Sequence, residues 1–457
     1  MTRWLPLTSA LATVFALSGC VTYQPHPLAT QSNLAAGLGE LDLASPSHER
    51  GAISARLAHG KALTPLEVGL AAARNNPSLA NIPGKIGVAN ANVLAAQILP
   101  NPAVGLGYAF LASGPATVNA LSASISQDVR AIITYQPRVA AAKARFGQVS
   151  ASAVWDVWQV AQKARLLAID INSDDEEIHY RMQSLALLNG ETSAVRKATE
   201  QGNLALTAEA PLFSAQATAQ KDLATARLQL LKDWQALDAL MGLQPAARFR
   251  ILPPAPVRLP REVDSLVATL PSRRPDLIAL QLGYHAAEQD VRVAILKQFP
   301  ALSLGVAGGS DTSDVVSVGP AVTFDLPIFD RNQAGVATSQ ASQVQLRAEY
   351  QAALDDADGT VHSLIARLRV VAADLTRARA GAAEARKQLN AAQNAYQNGN
   401  LDQRGMVDYQ STLLDRQLEV VGYQRILHED ALALEVELGL GLPQAILGLP
   451  NREEIRS

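Results

Sequence analysis

The sequence predicts a mixed α and β chain, built twice over, in which long coiled-coil-like helices are joined to four amphipathic strands. Three observations predict it. Val315 to Gln333 passes from a period of two into a helical pattern. The helices carry apolar residues at alternating spacings of four and three. Short words recur 197 positions apart.

The first observation sets the plan. Val316, Val318, Pro320, Val322, Phe324 and Leu326 are apolar, and Ser317, Gly319, Ala321, Thr323 and Asp325 between them are small or polar. Period two describes a strand with one greasy and one wet face. Pro327 has no N–H to give and ends the ladder. From Asp330 the pattern is helical. A half-wet strand that runs into a very long helix suits a membrane β-barrel continued by a helical tube better than one compact globule.

Residues 1–19 read as an export signal, with Arg3, an apolar run and Leu17-Ser18-Gly19 before Cys20, the single cysteine of 457 residues. The run is too short to span a bilayer. One cysteine allows no disulfide, so packing must hold the fold. Without the signal, 38 bases face 42 acids, which gives no case for nucleic acid. No later segment has the unbroken apolar length of a spanning helix.

Residues 20–60, rich in Pro, Ser, His and Gly, read as a tether. The first repeat covers 61–243. Thr64, Pro65 and Glu67 occupy the N-cap, N1 and N3 positions of a helix that runs to Asn76-Pro77. A second helical run from about Lys85 ends at Pro100. Strands follow at about 102–111 and 118–128, with Ser113-Gly114-Pro115 as the turn. The chain then reads helical from about Ala131 to Asn189, where Asn189-Gly190 punctuates it, and again to Gly242-Leu243. Residues 244–262, with Pro253, Pro254 and Pro256, form a linker.

Residues 263–443 repeat the plan, with strands at about 299–309 and 315–326, before a tail at 444–457. Gly399-Asn400-Leu401 answers Gly202-Asn203-Leu204, and Leu434 to Leu440 answers Leu237 to Leu243 at the same displacement of 197. A register kept without gaps marks an internal duplication. Leu364, Leu368, Val371, Leu375, Ala378, Ala382, Ala385, Leu389, Ala392 and Tyr396 form a heptad seam, in which Ala admits a close neighbour. Leu427, Ala431, Leu434 and Leu438 repeat it, as do Leu230, Trp234, Leu237 and Met241.

Lipid leaves no backbone group unpaired, so a sheet of four strands must close. Single-chain barrels begin at about eight strands. Several chains must therefore share one barrel, and symmetry allows two or three.

Taken together, the Cys20 box, Arg273-Arg274-Pro275-Asp276, Phe324 to Asn332 (FDLPIFDRN) and the duplicated Gly-Asn-Leu words resemble the TolC-type outer membrane factor family, in its lipoprotein branch. The resemblance covers Leu63 to Leu442. It implies a homotrimer with an α-helical barrel and a shared 12-stranded β-barrel. It also implies cleavage before Cys20 and acylation of that residue as an anchor in outer membrane lipid. The implied partners are a periplasmic adaptor protein and an inner-membrane pump, and the implied role is a passive, periplasm-spanning exit duct of a tripartite efflux system.

The tunnel mouth is expected at the helix turns near 189–209 and 397–408. In the family, carboxylates just after the second turn close the tunnel. Asp408 falls on one such position, and Gly405 departs at the other. Asp402 and Glu209 are neighbouring candidates. Arg274, Pro275, Asp276, Pro327, Phe329 and Asp330 read as cap and joint residues. Asp174 to Glu177 beside His179 reads as a solvated face, because consecutive acids point around a helix rather than converge. The seven histidines lack paired spacing, so no metal site, cofactor or catalytic constellation is expected. The rival reading is a periplasmic helical scaffold lipoprotein without channel activity.

Overall fold

The computed structural model describes residues 23–41, 62–110, 112–113, 118–258, 260 and 262–441. The chain divides into Met1–Leu34 and Ala35–Ser457. Residues 23–34 are exposed and carry no helix or strand. The second unit holds every element below. The signal, most of the tether, the Gly114-Pro115 turn and the tail lie outside the described residues.

Helix α1 spans Pro65–Asn75 behind a complete capping box: Thr64 Oγ1 accepts from the Glu67 N–H, and the Glu67 carboxylate accepts from the Thr64 N–H at 2.8 Å. Helix α2 covers Ile82–Gln97. The strands are β1 (Ala103–Ala109) and β2 (Ala120–Asp128). Two helices follow, α3 (Tyr135–Glu200) and α4 (Glu209–Met241). The same order then returns as α5 (Pro275–Leu296), β3 (Leu302–Ser310), β4 (Val316–Phe324), α6 (Gln333–Gln397) and α7 (Gln403–Glu437). At 66 and 65 residues, α3 and α6 are each about 100 Å long.

Helix α3 does not stop at Asn189-Gly190. An interior glycine costs about 1 kcal/mol, but Asn189 is held across the hairpin, where its amide oxygen accepts from Gln216 Nε2 of α4 at 2.6 Å. Tertiary packing overrides the local punctuation. The chain turns only at Gly202, whose φ of +75° suits a residue without Cβ.

Helix α3 is the hub, packing against α1, α2, α4, α5 and α7, while α6 lies between α5 and α7. One core gathers Val68, Ala72, Ala168, Ile171, Leu237 and Met241 from α1, α3 and α4. Its counterpart joins Leu277, Ala357, Val361, Leu368 and Leu434 from α5, α6 and α7. Of the ten seam residues on α6, only the terminal Tyr396 is exposed, and Ala357 and Val361 extend the seam toward the sheet. Two short parallel bridges, Ala35 with Leu243 and Leu63 with Ile251, tie the N-terminal segment to the connection after α4.

The four strands form one antiparallel sheet in the order β1-β2-β3-β4. The β2–β3 pairing joins the two hairpins, and Ile125 stands opposite both Val104 and Val306. The strands are shorter than the alternation in the sequence suggests. Pro102 precedes β1 without an N–H to offer the ladder.

Candidate functional site

The pairing register sorts the sheet into two faces. Val104, Leu106, Tyr108, Leu121, Ile125, Leu304, Val306, Val318, Val322 and Phe324 share one face and are exposed. Gly105, Gly107, Ser122, Ser124, Ser126, Ala307, Gly309, Ser317 and Thr323 share the other. Each of β2, β3 and β4 has nine residues, about 30 Å of strand. An apolar face that wide has no partner within the described chain. The outer edges of β1 and β4 are also unpaired among the described residues. Such a sheet is suited to lipid on one face and water on the other, once its edges are closed.

The joint below the sheet uses the predicted words. Pro327 follows β4, and its carbonyl accepts from Arg331 Nε at 3.2 Å. Asp330 accepts from the Asn332 N–H at 2.8 Å. Asn332 takes a φ of +58° and donates through Nδ2 to the Ala294 carbonyl at 2.8 Å, fixing the start of α6 to α5. Phe329 is 91% exposed. Lower down, Arg274 is buried beside Pro275, the first residue of α5. It pairs with Asp276 at 2.7 Å and with Glu437 of α7, and its guanidinium lies 5.1 Å from the Trp155 ring centroid. This group ties α3, α5 and α7 together.

The helix turns lie at the far end from the sheet, because α3 and α6 leave β2 and β4 at the same level of the ladder, Asp128 facing Ser303 and Phe324 facing Leu302. Asp402 is the N-cap of α7, where its carboxylate accepts from the Gly405 N–H at 2.8 Å. A Cβ at position 405 would stand 2.7 Å from Leu401 Cδ1, so glycine suits this tight first turn. Glu209 is the first residue of α4, well placed against the positive end of the helix dipole. Asp408 is exposed on α7. It lies near Glu191 of α3, whose carboxyl is raised from its ordinary value by burial first and the Asp408 charge second, with Arg404 acting the other way. Sequence reading missed Glu191 and Arg404, since no periodicity shows which acids of two helices will face each other. Cys20 lies outside the described residues.

One further group departs from the sequence reading. Asp174 does not belong to a solvated face: it is 2% exposed and bonded by Arg425 of α7. Its neighbours Asp175 and Glu176 are exposed, and Glu177 pairs with Arg181 at 2.7 Å. Only one member of an acid run needs to meet a packed neighbour. Among the described residues there is no cluster with metal-holding geometry, and no helix is long and apolar enough to cross a membrane.

The chain thus sets a two-faced sheet with open edges on helical hairpins about 100 Å long. Residues 266–440 match the family model of the outer membrane efflux proteins. No curated protein matches the chain in sequence. Solved structures share its fold. The Campylobacter jejuni outer membrane channel CmeC is 13% identical, with a TM-score of 0.68 over 96% of this chain and 97% of that one. The Vibrio cholerae outer membrane protein VceC is 19% identical, with a TM-score of 0.64 over 85% and 97%. CusC is 17% identical, with a TM-score of 0.66 over 82% and 92%.

Proposed function

We propose that three copies of this chain form the passive exit duct of a tripartite efflux system. Their hairpins would make a 12-stranded barrel in the outer membrane, and their helices a tunnel through the periplasm. The observation that carries this reading is the four-stranded sheet, greasy on one face, small and polar on the other, and open at both edges. The match of residues 266–440 to the outer membrane efflux protein family supports an adaptor protein and an inner-membrane pump as partners, with energy and cargo choice on the pump's side. The Leu-Ser-Gly-Cys box supports an acylated Cys20 as the lipid anchor. The recurring element order and the paired glycines, Gly202 with Gly399 and Gly242 with Gly439, all at positive φ, support an internal duplication.

At the mouth, Asp408 is the gate candidate. Threefold symmetry would bring three copies around the axis, with Glu191 beside each, and narrow an opening that attracts cations. Asp402 acts there as a helix cap, and Glu209 favours its helix start. Planar-bilayer recording tests the reading. The purified protein should pass small currents, and Asp408→Ala should raise them. A protein that is monomeric in detergent, with its hairpins facing water and no conductance, would instead be the helical scaffold.

A further inference from the structure

Far from the sheet and the tip, a group of charges lies where α3, α4 and α7 meet, and neither the membrane face nor the mouth uses it. Arg425 of α7 donates to one Asp174 carboxylate oxygen and to the Asp170 carbonyl at 3.0 Å. The second oxygen of Asp174 is buried without a hydrogen-bond partner. So are Asp170 Oδ1 and Arg425 Nε, which face each other at 3.8 Å, beyond bonding reach. Glu429, one turn beyond Arg425, meets Asp170, and Asp233 of α4 meets Asp174. Asp233 is 7% exposed, and its two oxygens share a single donor, Gln229 Nε2, at 2.9 and 3.0 Å.

Asp174 and Asp170 thus lie against one guanidinium, and Asp233 and Glu429 are set against those two acids in turn. Glu177 also faces Arg425 but already pairs with Arg181, and Val68, Ala71 and Ala72 of α1 line the neighbouring core. The positions 197 residues on are built differently. There Arg367 pairs with Asp430 at 2.9 Å, where the first half sets Asp170 and Asp233, although burial and then Glu429 still raise the Asp430 carboxyl against the pull of Arg367. Buried carboxylates in contact cannot all be ionised, because each lone pair then faces another. A proton in each contact removes the conflict and gives the orphaned oxygens a partner.

We propose that this junction is a proton-loaded latch: protons shared in the Asp170–Glu429 and Asp174–Asp233 carboxyl pairs hold α7 against α3 and α4, and their loss loosens α7. The burial and charge around these carboxyls agree with this geometry. Burial, then Glu429, pushes Asp170 up to about 8 against the pull of Arg425. Burial, then Asp233, pushes Asp174 up to about 6, with Arg425 again opposing. The sign follows. The packed junction binds protons more tightly than separated helices would, so its stability falls as pH rises from the ordinary carboxyl value of 3.8 to about 8.

The latch needs only the packed helices, so its test is separate from conductance. Infrared difference spectra of the purified full-length protein between pH 6 and pH 9 should lose a band from protonated carboxyl groups. The Asp170→Asn, Asp174→Asn double variant should lack that change. Amide deuterium uptake in α7 from Val421 to Leu432, corrected for intrinsic exchange, should rise about a hundredfold over this range in the wild type. In the variant, whose amides mimic the protonated acids, it should stay flat. No protonated band at pH 6, or wild-type uptake indifferent to pH, overturns the latch, and both readings need no variant. A protein without conductance that still shows both signatures would sink the duct and keep the latch.

Discussion

A charge placed at the centre of the apolar face tests the membrane assignment most directly. Val306 lies midway along β3, opposite Ile125 on one side and Pro320 on the other, and about half of its surface is exposed. If this face meets lipid, Val306→Arg puts a guanidinium near the bilayer midplane. That costs about 2–4 kcal/mol per chain, roughly a 30- to 900-fold loss in the folding equilibrium, and each closed trimer would bear it three times. Ser124→Arg is the matched control. It lies on the opposite face between Gly105 and Ala307, where small neighbours leave room and water would solvate the charge. The assay is refolding from urea into liposomes, scored by the folded fraction and by flotation with lipid. Val306→Arg should fail to insert while Ser124→Arg inserts nearly as the wild type. Equal insertion of the two, or greater damage from Ser124→Arg, would refute the assignment of faces.

Three further predictions concern the helices. Gly242→Ala should be more damaging than Gly399→Ala. Both positions have positive φ, at a cost of about 1–2 kcal/mol for a residue with Cβ, but only at 242 would the new atom stand 2.7 Å from the Asn75 carbonyl; denaturant midpoints measure the difference. Arg274→Ala should destabilise by about 3–5 kcal/mol, because it leaves the partly buried carboxylates of Asp276 and Glu437 without their cation. Arg274→Lys should recover only part of that in urea titration, since a lysine cannot bond both acids through one planar fork. Asp402→Ala should cost about 1 kcal/mol, the value of an N-cap. Its signature is faster amide exchange confined to the first turn of α7; no change there would remove the capping role.

The features legible in the sequence are those written in periodicity. Alternation along each strand fixed the two faces, because every second side chain must share a side whatever the pairing. The seam from Leu364 to Ala392 was legible for the same reason: spacings of four and three return to one side of a helix. Contacts that join helices across more than 200 residues have no such signature. Glu191 beside Asp408 and Asp174 beneath Arg425 depend on the rotation of each helix about its axis, which packing alone determines. Yet the duplication did hold an unused clue to the buried junction. Position 170 is an acid where position 367 is an arginine, while Asp233 and Asp430 keep the same charge. A helix pair that exchanges an ion pair for two like charges must import a counter-charge or take up a proton. Arg425 supplies the first, in a place where the first half has Leu228. It is one cation against Asp170 and Asp174, each of which also faces another acid, so the remaining charge must be met by protons or by separation of the helices. The place where a repeat departs from its own counterpart is therefore where the two halves cease to be interchangeable, and where this chain can respond to its surroundings without altering either its membrane face or its mouth.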